Sequence, residues 1–119
     1  MALTPSAEAI QAMSAVELTG AIRARTVSAR EALDAQFEQI SAVNSHINAV
    51  VTLDPEGAYA LATAADERTA GTSTGTSTGD GLPPLHGLPM THKDTHNTRG
   101  CAPPRGPSCS GILCPTPMT

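Results

Sequence analysis

A chain of 119 residues can hold one small domain, but with one Phe, one Tyr and no Trp it has few large side chains to fill a core, and Ala supplies much of its apolar fraction. A net charge of -4 and the lack of any Lys/Arg block argue against nucleic-acid binding. No apolar run approaches the roughly 20 residues of a membrane span, and the start at Met1-Ala-Leu-Thr4 lacks the basic and apolar regions of a signal peptide, so no membrane association and a cytoplasmic location are expected.

The first element is announced by Ser14-Ala-Val-Glu17, a capping-box pattern followed by Leu18 and Ile22 one helical turn apart, which predicts a helix from about Ala15 to Arg25. The box recurs at Ser28-Ala-Arg-Glu31, and Leu33, Phe37, Ile40 and Asn44 then follow at helical spacing, predicting a second, longer helix. Capping accounts for Ser14 and Ser28, so neither reads as a nucleophile. Ile47 to Thr52 is short and β-branched, as a strand would be. Asp54-Pro55-Glu56 opens a third helix, with Asp as N-cap and Pro at the first helical position; Ala58, Leu61, Ala62 and Ala65 give it a lightly apolar face, and it should end near Ala70.

Residues 71–81 repeat a four-residue unit of Gly, Ser and Thr that buries no apolar surface, so a mobile loop is expected there. It is not a phosphate-cradling loop, which would need a preceding strand, a following helix and a placed Lys. Beyond it, Leu88 to His92 predicts a short strand ending at Lys93-Asp94. Polar groups thus collect at a strand end, where α/β proteins place ligands and catalytic groups. Cys101, Cys109 and Cys114 all fall in the last stretch; a metal site could be imagined from these with His86, His92 and His96, but without a Cys-x-x-Cys pair neither a metal nor another cofactor is expected.

Gly87-Leu-Pro89-Met-Thr-His-Lys93-Asp94 resembles the segment of the amidase signature family in which Gly-x-Pro leads along a strand to an essential Lys-Asp pair. The upstream order, with two capped helices, the passage Val43 to Val51 and an Asp-Pro-led Ala-rich helix, is similar to that family's N-terminal region, so the resemblance covers about residues 4–100. It implies an α/β fold, here the N-terminal helices and first strands of a large mixed sheet, and hydrolysis of the amide C–N bond of a small-molecule substrate. The family's catalytic set is a Ser nucleophile, a second Ser on a cis peptide and a Lys; only the Lys maps here, onto Lys93. A Lys whose pKa is lowered by burial or a nearby cation could relay the nucleophile's proton and return it to the leaving amine.

The 119 residues do not contain the Gly- and Ser-rich segment that carries the family's nucleophile, and Ser108 and Ser110 in Pro-Ser-Cys-Ser-Gly do not reproduce it. The oxyanion-stabilising amides are expected from that same segment. From Cys101 the character changes, with five prolines and all three cysteines within residues 101–119. This tail reads either as Pro-rich and disordered or as out of frame: codons for Cys-Ala-Pro-Pro, read one base earlier, permit Met-Arg-Thr-Thr, the continuation seen in many relatives. The expectation is therefore a truncated amidase, inactive alone. The alternative is a non-catalytic interaction module, docking on a full-length relative or another protein, with self-association through uncovered apolar surface.

Overall fold

A computed structural model describes residues 4–71, 81–93 and 110–113. Among these residues four helices and three short strands follow one another as α1 (Ala7–Ala12), α2 (Ala15–Arg23), α3 (Ala29–Ile47), β1 (Thr52–Leu53), α4 (Pro55–Ala70), β2 (Thr91–Lys93) and β3 (Ser110–Leu113). The described chain is mostly helical with few strands, which is compatible with a piece of a larger α/β domain. None of its helices is long and apolar enough to cross a membrane.

Both capping boxes form. Ser14 Oγ accepts from the Glu17 amide (3.3 Å) while Glu17 Oε2 accepts from the Ser14 amide (2.7 Å), and Ser28 and Glu31 repeat the exchange at 3.0 and 2.8 Å. Helix α2 stops at Arg23, sooner than its periodicity predicts. Arg25 takes a left-handed conformation at φ 60°, the Arg25 amide bonds to Ile22 O (3.1 Å) and the Thr26 amide bonds to Ala21 O (3.0 Å). This is a Schellman ending, and it turns the chain into α3.

The strand predicted over Ile47 to Thr52 is shorter and begins later than expected. α3 runs through Ile47 and ends on a left-handed Asn48, leaving only Thr52–Leu53 as strand. The reason lies in Asn44, whose side-chain amide donates to Val50 O and accepts from the Val50 N–H, both at 2.9 Å. Those bonds satisfy the Val50 backbone locally, where a strand would have needed a neighbour. α1 has no counterpart among the predicted elements; Ser6 caps it by accepting from the Ala9 amide at 3.3 Å.

Apolar side chains gather on the two sides of α3. Ile10, Leu18, Ile22, Val27, Ala32 and Ala35 join α1, α2 and α3, whereas Ala29, Leu33, Ala58 and Ala62 join α3 to α4, with Phe37, Ile40 and Tyr59 partly buried against them. Polar ties reinforce both contacts. Gln11 Nε2 donates to Ala35 O (2.8 Å), and Asp66 of α4 accepts from the Ala29 and Arg30 amides (2.7 and 3.3 Å) at the start of α3. A carboxylate there takes up amides that the helix leaves unsatisfied and complements its dipole.

The sheet has strand order β1-β3-β2, with β1 parallel and β2 antiparallel to β3. β3 falls within the Pro- and Cys-rich tail; the rest of that tail, Cys101, Cys109 and Cys114 included, lies outside the described residues, as do residues 72–80 of the Gly/Ser/Thr loop.

Candidate active site

Lys93 is the last residue of β2 and pairs with Ser110 of β3, just past a register irregularity between His92 and Lys93. The route that delivers it starts at Gly81 and turns through Pro84–Gly87. In this turn the His86 amide donates to Pro83 O (3.1 Å) and the Leu88 amide to Leu85 O (3.2 Å). Two side chains tie this stretch to the helices. Arg23 Nη2 at the end of α2 donates to Leu82 O and Pro83 O at 3.2 and 2.7 Å.

The second is His86, 8% exposed, whose Nε2 lies 3.0 Å from Ala65 O and 2.9 Å from Thr69 Oγ on α4. A carbonyl oxygen can only accept, so Nε2 carries the imidazole proton; Thr69 Oγ in turn donates to Ala65 O at 2.9 Å.

Gly87, the first residue of Gly-Leu-Pro, has φ 75° and lies so close to the helices that an added Cβ would sit 3.1 Å from Ile22 Cγ2 and 3.3 Å from Ala29 Cβ. The motif's glycine thus has a packing role: it lets the strand lead approach the α2–α3 corner.

Between α3, α4 and residues 83–92 lies an apolar groove of about 430 Å³, bordered by Leu33, Leu61, Ala65, Leu85 and Met90, with His86 and His92 also along it. His92 Nε2 is buried without a hydrogen-bond partner among the described residues. His92 lines this groove, whereas His96 and Asp94 lie outside the described residues. Sequence reasoning gave His86 no role beyond a discounted metal ligand and missed its buried bonds to α4. The signal for it would have been the Pro-Pro-Leu-His-Gly turn, which fixes the backbone but not what the imidazole meets. Among the described residues, no three His, Cys, Asp or Glu side chains come together as a metal site would need.

The Amidase family model matches residues 31–109, about two thirds of the chain and the whole route from α3 to the Lys93 segment. The chain belongs to the amidase signature family. Its similar relatives include a glutamyl-tRNA(Gln) amidotransferase subunit of Alkalilimnicola ehrlichii, 42% identical over 84 residues, 71% of this chain and 16% of that protein. The corresponding protein of Acidothermus cellulolyticus is 40% identical over 87 residues, covering 73% and 16%, and that of Geobacter sulfurreducens 37% over 99 residues, covering 83% and 19%. The chain therefore spans less than a fifth of the length of these amidase relatives. No solved structure matches it.

Proposed function

We propose that this chain is an N-terminal portion of an amidase-signature hydrolase, contributing Lys93 as the terminal base of a Ser-cisSer-Lys relay whose serines are not among its 119 residues. The observation that carries the reading is the family match across residues 31–109, which includes the strand ending at Lys93. The relatives' printed name speaks of amide-group transfer and of one subunit within a larger assembly; for this chain it supports a small amide as the substrate of the intact domain. By itself the chain does not hydrolyse amides. A base without nucleophile or oxyanion donors can only assist water, a contribution of about 10²–10⁴-fold, far short of the accelerations hydrolases reach.

The test compares the purified 119-residue chain with a protein in which residues 1–93 are joined in frame to the C-terminal region of an amidase relative. The chain alone should show no turnover of simple aliphatic and aromatic amides; the joined protein should, and Lys93→Ala should abolish it. Turnover by the 119-residue chain, or by a folded joined Lys93→Ala protein, would overturn the reading.

A second reading, an interaction module, is favoured by one surface: Ile47, Val51 and Leu53 are 64%, 42% and 41% exposed around the end of α3 and the start of the sheet. Sedimentation of the purified chain checks it, since a strictly monomeric chain that captures no relative has no use for that surface.

A further inference from the structure

We propose that His86 is a positioning residue for Lys93: its buried imidazole, donating from Nε2 to Ala65 O and Thr69 Oγ, fastens the start of the catalytic strand to α4. The inference deepens the assignment of Lys93 above and rests on it.

Three observations converge on this turn, from which five residues lead to Lys93. The His86 bonds reach back 21 and 17 residues along the chain into a single turn of α4, so they fix tertiary position and not local conformation. Gly87 lies close against Ile22 and Ala29 at positive φ, so the backbone next to His86 has little slack toward the α2–α3 corner. Arg23 grips the carbonyls of Leu82 and Pro83, closing the turn from a third direction.

Beyond Gly87 the hold weakens. Leu88 still packs against the α1–α3 core, but among the described residues positions 88–90 make no sheet pairing, and pairing with β3 begins only at Thr91. A turn held on three sides and followed by a short extended run transmits its position directly to the strand, because an extended chain has a nearly fixed rise per residue. Withdrawing the imidazole removes its bonds to Ala65 O and Thr69 Oγ and frees the turn to shift against α4. Such a displacement would misplace a base that must lie within hydrogen-bonding reach of its partner.

Lys93 is the only lysine in the chain. Labelling with ¹⁵N-lysine therefore yields a single backbone amide signal, and that signal reports on the strand directly. In His86→Leu, with helicity preserved by circular dichroism, the signal should move toward its position in the denatured chain and its amide should exchange about tenfold faster, as expected when a buried hydrogen bond that holds a segment is lost. In His86→Gln, whose amide N–H can replace the Nε2 donor, the signal should stay near that of the unmodified chain. A stationary signal in helical His86→Leu, or equal displacement in the Leu and Gln variants, would overturn the proposal.

Should His86→Leu fail to fold, Thr69→Val decides, since it removes one acceptor while keeping the side-chain shape. The signal should then shift in the same direction with the helices intact, and its failure to move would count against the tie. None of these readouts depends on amide hydrolysis, so they remain interpretable if the joined protein proves active without Lys93.

Discussion

Gly87 shows how one position carries two constraints at once. Its φ of 75° is a conformation that costs an L side chain about 1–2 kcal/mol, and a Cβ 3.1 Å from Ile22 Cγ2 would add crowding against one of the most buried side chains in the protein. Gly87→Ala should therefore lower unfolding free energy by roughly 1–3 kcal/mol, read as a reduced urea midpoint at unchanged slope. An unaltered midpoint would mean that the turn relaxes away from the helices. The glycine of Gly-Leu-Pro was legible in the sequence as a motif residue. Its reason was not, because Ile22 and Ala29 are brought to it only by the packing of α2 and α3.

Between elements, the α3–α4 contact combines an apolar seam with an outer polar set. Phe37 and Tyr59 pack with ring centroids 5.5 Å apart at 56°, the Arg30 guanidinium lies 5.2 Å from the Tyr59 ring centre, and the Tyr59 hydroxyl donates to Asp34 Oδ1. That hydrogen bond is the main cause holding the Tyr59 pKa above its ordinary value, with desolvation and the Asp34 charge acting the same way and Arg30 opposing. A raised folded-state pKa means that the contribution to stability is present below the unfolded pKa of tyrosine and is lost as pH rises through the folded one. With a single Tyr and no Trp, phenolate absorbance reports on this residue alone. The titration midpoint should lie above that of the denatured chain and fall in Asp34→Ala; identical midpoints in the two proteins would show that the hydrogen bond does not persist in solution.

Across the whole molecule, α3 is shared by both apolar clusters, and the largest fully buried side chains are Ile22, Leu33 and Val27. Ile10, Leu18 and Leu82 are also buried, but five of the buried residues are alanines, so each large residue carries a disproportionate share of the buried area. Leu33→Ala should cost about 2–5 kcal/mol, a substantial part of the roughly 5–15 kcal/mol of an ordinary domain. Thermal unfolding followed by circular dichroism should show either a strongly lowered midpoint or a chain already unfolded at 25 °C. A shift within a degree or two would place the folding energy elsewhere.

The local chemistry of this protein was written in its sequence. Ser14, Ser28 and Asp54 start helices because their side chains reach amides three residues on, and Pro55 begins α4 because its ring suits the first turn; such interactions close within four residues and need no tertiary partner. The Lys93 segment was also legible, as a motif whose order along the chain resembles that of the amidase signature family. What only the tertiary structure decided is how that segment is held: His86 against Ala65 and Thr69, Arg23 on Leu82 and Pro83, Asp66 on the first amides of α3, and Asn44 holding Val50 so that the strand starts later than β-propensity suggested. Apart from the Asn44 tie, those contacts join residues far apart in the chain. A polar side chain's periodicity says which face it occupies, and only the packing of helices against the turn says which donor meets which acceptor there.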